Sequence, residues 1–486
     1  MTHKHTMFEQ IVDQIVEEIQ ALPDQRRLGE GNLPKLIASV AQLIRDSAGL
    51  HLTKATNQEA SIHKGSGHYT ADRYNKIHTY RIHISRAFNG MEKLGYLFVT
   101  KKGASDGAAG KFLTRYVATS KLTDLFAGIK PEIISALLPT HDPNAEPIRY
   151  QKKVPTGVFN KQGREITRKD LLDYKDNNES ARMRQNLVVI NKVLAKNWFD
   201  LDVTPSELEA VEAEIRKKAK NNDYHLHINL ANRSLHRTFN NAEFTHGGRF
   251  YGGWWELVPS KLRSRILING KDTEEYDYSG LHPNMLYAME GQTLPGDPYD
   301  GLIKDVLEDD AEEARKDCKR AFNSMLNAGR EMKAQPTGIK LSNYNTNWAI
   351  LSAAIMERHK PIAHHFYTGI GKKLQRIDSD MAEEVMLHFA KIGVPVLPCH
   401  DSLLAHHGYG KELQDLMAKA FRDRFGQEVG IKLECKTLDV PDVPDVPDVP
   451  SDGESGSMSM ESILKGVGGA CEKRFEAFRG KVDDRE

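Results

Sequence analysis

Residues 439–450 read DVPDVPDVPDVP, one tripeptide four times over with proline at every third place. Each proline removes a backbone donor and clashes with the preceding turn of a helix, so at this density neither helix nor sheet can use the segment. The run is a semi-rigid spacer, and the polar stretch after it extends the linker over 439–458. Everything before it must bury a core without it. The 486 residues suffice for two to four domains, with a C-terminal helical tail expected over 459–486.

Hydrophobic residues at 39% and charged residues at 28% suit a globular protein. No apolar run is long enough to span a bilayer, and MTHKHTMFEQ at the N-terminus has no secretory hydrophobic region. Cys318, Cys399, Cys435 and Cys471 are scattered without a C-x-x-C pair, which argues against a zinc knuckle or disulfide framework. A reducing compartment is expected, hence a cytoplasmic protein. Lys plus Arg and Asp plus Glu both number 67, so a nucleic-acid binder would have to segregate its charge. Residues 61–116 do so, with ten Lys/Arg against three Asp/Glu and four histidines. The acidic run at 305–313 reads as a solvated face.

Apolar spacing predicts amphipathic helices over 7–21 and 33–48. A further helix places Ile82, Ala87, Met91 and Leu94 on one side and ends at Gly95. A strand from Tyr96 to Val99, the glycine-rich tip GASDGAAG and a strand from Phe112 to Val117 follow. Helix, strand, glycine tip and strand resemble the winged helix-turn-helix family, which implies a DNA-binding domain over 1–127. In that family the recognition helix enters the major groove and the wing rests on the backbone. The resemblance makes Arg73, Lys76, Arg81, Arg86, Lys101 and Lys102 candidates for phosphate contact; a winged helix that binds protein is the alternative. Residues 128–245, with helices expected at 181–197 and 205–219, read as a helical connecting or thumb-like region. Residues 246–438 alternate short strands with helices, as an α+β domain does.

Three segments there carry chemistry. In EEYDYSGLHPNMLYAMEG, Asp277 ends a strand just before a helix, a rigid place for a metal ligand. In GVPVLPCHDSLLAHH, two β-prone runs flank His400 and Asp401, so a hairpin tip can present Asp401 opposite Asp277. Two carboxylates so placed can hold two Mg²⁺ ions (Mn²⁺ is the substitute), as in two-metal phosphoryl chemistry. His400 is open to reading as a zinc ligand, a general base or a structural neighbour. In AEEARKDCKRAFNSMLNAGR, Arg315 and Lys319 lie four apart on one helix face, where they can clamp a triphosphate.

Taken in order, residues 247–404 resemble the palm and fingers of family A DNA polymerases and, more distantly, the phage-type single-subunit RNA polymerases. Asp277 to Gly291 is similar to motif A without a gap, and Arg315-x₃-Lys319 with Asn327 is similar to motif B. Gln375-x₄-Asp380 is similar to the segment before motif C, and CHDSLL to motif C itself. GGRFYGGWWELVP, with Arg249, is similar to a segment that touches the template–primer backbone. The resemblance implies a right-hand polymerase fold behind the winged helix. It gives Asp277 and Asp401 the metals, and assigns Arg315, Lys319, Asn327, His282 and Tyr278 to the incoming nucleotide. Arg249, Gln375, His400 and Ser402 fall to the primer–template.

Three positions depart from the DNA enzymes. The motif A glutamate is His282, the motif B aromatic is Asn327, and motif C ends in Ser402 as in the RNA enzymes. No paired-carboxylate exonuclease pattern precedes the palm, so no proofreading is expected. The expected activity is template-directed nucleotidyl transfer from nucleoside triphosphates, narrowly DNA synthesis, with RNA or primase-like synthesis as the alternative. A winged-helix regulator with an inactive palm is the reading from another class, and a metal-dependent nuclease a third.

Overall fold

The computed structural model describes residues 7–24, 28–52, 59–62, 73–74, 81–103, 113–125, 146–159, 165–218, 228–230, 232–304 and 306–436, with positions 471, 475 and 479. Their apolar side chains gather in two cores, one drawn from residues 11–122 and one from 148–429. The architecture is α+β.

The first core is built by α1 (Met7–Gln20), α2 (Leu33–Leu52), β1 (Ala60–Ile62), α3 (Arg81–Lys93), β2 (Leu97–Lys101), β3 (Thr114–Ala118) and α4 (Ser120–Asp124). The strands form an antiparallel sheet in the order β1-β3-β2. In α3 the buried set is Ile84, Ala87, Phe88 and Met91, which is the i, i+3, i+4, i+7 stripe of a helix. Ile82, expected on that side, is out of phase with the stripe and 75% exposed. Lys76, the tip residues from 104 and the spacer lie outside the described residues.

The second core begins with β4 (Ile148–Phe159), β5 (Glu165–Leu171), α5 (Asn178–Lys196), β6 (Phe199–Leu201), α6 (Pro205–Lys218), β7 (His236–Phe239) and β8 (Gly247–Tyr251). It continues through β9 (Ile266–Ile268), β10 (Lys271–Tyr278), α7 (Leu281–Met289), α8 (Ala311–Asn327) and α9 (Trp348–Arg358). It closes with α10 (Gly371–Lys391), β11 (Leu397–Cys399), β12 (Ser402–His406), α11 (Gly410–Phe425) and β13 (Ile431–Lys436). One antiparallel sheet runs β11-β12-β10-β9-β6, with β13 also paired to β10. A second runs β5-β4-β7-β8, where only the β4–β7 pairing is parallel.

The expectation of a helical connecting region over 128–245 is corrected here, since β4, β5, β6 and β7 fall inside it. β6 is three residues long and pairs with β9, so the core crosses the expected boundary at 245/246. β6 is too short to show a period, and β4 and β5 are mostly exposed, so no apolar alternation marks them.

Arg237, on β7, fastens the second sheet to α10. Its side chain is fully buried and meets Glu383 at 2.9 Å, Asp380 at 2.8 Å and the Ser379 hydroxyl at 2.9 Å. It also donates to the Gly248 carbonyl at 2.7 Å. All of its charge is thus satisfied by one helix and one strand, which sets the position of the helix carrying Gln375 and Asp378. Among the described residues no helix is long and apolar enough to cross a membrane.

Candidate active site

Asp277 is the last but one residue of β10. The β10–β12 ladder pairs Tyr276 with Leu403, so extending the register by one residue puts Asp277 level with Ser402. Adjacent strands lie about 4.8 Å apart, which brings β10's end beside the β11–β12 turn. That turn has two residues, His400 and Asp401, between the paired Cys399 and Ser402. His400 sits at φ 64°, in the left-handed region that favours glycine, a conformation the surrounding hairpin must hold in place. The indole N–H of Trp255 donates to the Pro398 carbonyl at 3.0 Å and braces the hairpin from behind.

Asp277 and Asp401 consequently line the same cleft, of about 240 Å³, together with Arg249, His282, Lys319, Asn327 and Gln375. A second hollow of about 370 Å³ is also lined by the two aspartates. A third, of about 490 Å³, runs along the basic face of α8 and shares Lys319, Asn323 and Asn327 with the cleft.

The two aspartates are shifted in opposite directions. Burial pushes the Asp277 carboxyl well above the ordinary carboxylate range, and the charges of Asp401 and Glu434 act the same way against Lys319. Burial opposes ionisation of Asp401 too, but Arg249 and then His282 outweigh it and hold its pKa below the usual value. The Oδ1 atom of Asp277 is buried without a hydrogen-bond partner.

Arg249 grips Asp378 on α10 through two nitrogens, the shorter contact being 2.5 Å, and His282 Nε2 meets the same carboxylate at 3.1 Å. Asp378 is an anchor that the motifs did not name; its spacing from Gln375 was the available signal. Gln375 accepts from Lys372 Nζ at 3.0 Å. Asn327 Nδ2 donates to the Asn323 carbonyl at 2.8 Å, and Gly371 lies against its side chain so closely that a Cβ there would stand 2.7 Å from Asn327 Oδ1. His400 is driven toward the neutral imidazole, by burial first and the Arg249 charge second.

Of the cations on α8, Arg315 is paired with Asp297 at 2.6 Å, Lys316 with Glu312 at 3.7 Å and Arg320 with Asp317 at 3.0 Å. Lys319 has no carboxylate within ion-pair distance among the described residues, and it faces the cleft. Arg315, expected beside it at the triphosphate, is not among the cleft-lining residues. Tyr278 lines the cleft, but its hydroxyl donates away from it to the Met417 carbonyl at 2.9 Å. The Ser402 hydroxyl donates to Glu275 and to the Cys399 carbonyl, so it supports the hairpin.

The N-terminal basic residues divide. Arg73 is committed to Asp173 at 2.8 Å and Asp176 at 2.9 Å, with its guanidinium 4.0 Å from the Tyr174 ring. That corrects its assignment to phosphate: its charge is spent inside the protein. Arg86 is half-buried, and burial lowers its pKa. Lys101 and Lys102 are exposed on and just after β2, and Arg81 opens α3.

Elsewhere, Glu290 lies 3.2 Å from His364 Nε2 and 2.8 Å from His365 Nε2, a grouping of ligand atoms within 4.8 Å that could hold an ion. The same distances are accounted for by two imidazoles donating to one carboxylate. No protein-family model matches this chain, and no curated protein matches it either.

Proposed function

We propose that the chain is a template-directed nucleotidyltransferase, narrowly a DNA polymerase without proofreading, of right-hand architecture. The observation that carries the reading is that Asp277 and Asp401, 124 residues apart in sequence, line one cleft with the unpaired Lys319 and with Arg249 and Gln375. The nuclease reading assigns no role to Lys319 or Gln375. In this reading the sheet around β10 is the palm, and α8 belongs to the fingers. The antiparallel β1-β3-β2 sheet behind α3 supports the winged-helix reading of the N-terminal residues.

The donor set suits a hard divalent cation. Every candidate ligand is a carboxylate, and the buried Asp277 Oδ1 and Glu275 Oε2 have no hydrogen-bond partner. Asp277 and Asp401 would hold Mg²⁺, which when bound stabilises both the attacking and the leaving oxygen of a phosphoryl transfer. Lys319 neutralises charge gathering on the departing pyrophosphate. Arg249, braced by Asp378, and Gln375 orient the primer–template on the opposite wall.

The test is primer extension by the full chain in Mg²⁺, with dNTPs and NTPs in separate reactions and Asp401→Ala as the comparison. Template-dependent product that disappears in the variant is expected. No product from either nucleotide set on primed or unprimed templates would refute the reading. RNA synthesis is the second reading, and what favours it is His282. At the motif A position that screens ribose in the DNA enzymes it presents an imidazole tied to Asp378. The same assay decides it by the nucleotide preferred.

A further inference from the structure

The β10–β13 pairing slips by one residue. Tyr276 lies opposite Leu433 and Glu275 opposite Cys435, which leaves Glu434 as the extra residue of a bulge. A bulge frees one side chain from the strict alternation of a strand and re-aims it, which is why bulges recur beside active sites. Here the extra residue is a carboxylate, two positions along β13 from Lys432, which pairs with Asp277. Glu434 lines the 370 Å³ hollow that also contains Glu275, Asp277, Asp401 and Ser402.

Glu275 supplies an independent sign that this hollow takes a cation. It is 3% exposed, and one oxygen accepts from Arg263 at 2.6 Å and from the Ser402 hydroxyl. The other oxygen, Oε2, is buried with no partner. A buried carboxylate oxygen left unpaired is costly, and a positive ion in the hollow would offset its charge. Of the lysine and arginine that line the same hollow, Lys261 meets Glu214 at 3.5 Å, and Arg263 is spent on Glu275, itself one of the carboxylates there. Glu434 has no ion-pair partner among the described residues. Four carboxylates therefore face one space with little positive charge to spare for them.

We infer that Glu434, beside the β13 bulge, is a third metal-ligating carboxylate, so that a hard divalent cation is held between the central strand and the β11–β12 hairpin. Glu275 acts as the positioning residue, linking Arg263 and Ser402 behind the ligands. The inference rests on the reading of Asp277 and Asp401 as cation ligands. It adds a ligand that lies outside every segment of the family resemblance.

Mn²⁺ binding to the full chain, read by the loss of the free-ion paramagnetic resonance signal, tests it without any turnover. Wild type, Glu434→Gln and Asp277→Asn are compared, with melting in metal-free buffer to confirm that each variant is folded. Glu434→Gln is expected to weaken Mn²⁺ binding on the order of tenfold. The Mn²⁺ needed for half-maximal primer extension should rise by a similar factor, and Glu434→Asp should recover part of the affinity. Glu434→Gln that binds Mn²⁺ like wild type, while Asp277→Asn does not, overturns this inference and leaves the two-aspartate reading standing. Wild type that binds no Mn²⁺, or Asp277→Asn that binds normally, overturns both. Should Glu434→Gln fail to fold, Glu434→Asp carries the test: affinity equal to wild type in that shorter side chain counts against a ligand role.

Discussion

At the scale of single residues, the cleft separates groups that hold the site together from groups left to act on a substrate. Arg249, His282 and Asp378 satisfy one another, whereas Lys319 and the Asp277 Oδ1 atom have no such partner among the described residues. An ammonium left unpaired beside carboxylates is set to meet a polyanion, and a charge-assisted contact of this kind is worth about 2 kcal/mol. Lys319→Ala is accordingly expected to lower kcat/KM for the nucleotide roughly thirtyfold. Arg315→Ala should cost at least tenfold less, because Asp297 already holds that guanidinium at 2.6 Å. Its main effect should be a loss of about 0.5 kcal/mol in stability, the scale of a half-exposed pair. Steady-state kinetics and melting on the two variants separate these outcomes. Equal kinetic losses would mean that Arg315 leaves Asp297 when the nucleotide arrives.

At the scale of elements, the site depends on how α10 is docked. The helix brings Gln375 and Asp378 to the cleft, and what holds it against β7 and β8 is a guanidinium with no exposed surface. Removing one partner of such a network leaves the other charges buried and uncompensated, at a cost of about 3–5 kcal/mol. Arg237→Met should therefore destabilise the protein by that amount in denaturant unfolding. Its effect on nucleotide binding should be smaller, since Arg237 does not line the cleft. A loss under 1 kcal/mol would show that apolar packing alone docks the helix.

For the whole molecule, zero net charge hides a segregated surface. On the β4–β5 hairpin, Lys153 lies directly across from Lys169, and neither has an ion-pair partner among the described residues. Like charges opposed on a sheet are unfavourable unless an anion bridges them. Burial, then Arg249, Lys169 and Lys153 in turn, depress the pKa of Lys372, so this positive strip reaches the cleft wall. Under the proposed function, a phosphate backbone would be the matching partner. Duplex binding, followed by fluorescence anisotropy against salt, should weaken steeply, with the log–log slope falling by about one for each of Lys153→Ala and Lys169→Ala. An unchanged slope in the double variant would remove this strip from the binding track.

Local chemistry was what the sequence by itself determined. Helical spacing marked α1 and α3, and turn residues marked the β11–β12 hairpin. The order of the acidic and basic motifs marked Asp277, Asp401, Lys319, Arg249 and Gln375, because each is written within a few neighbouring residues. Tertiary structure alone decided the rest. That Arg73 is spent on Asp173 and Asp176, that Arg315 is taken by Asp297, and that β6 joins the sheet of β10 all depend on partners far along the chain. The same holds for Glu434. Its carboxylate reaches the aspartates only because two strands, more than 150 residues apart in sequence, pair side by side. Periodicity encodes which face a residue takes within its own strand; it does not encode the register that strand adopts against another.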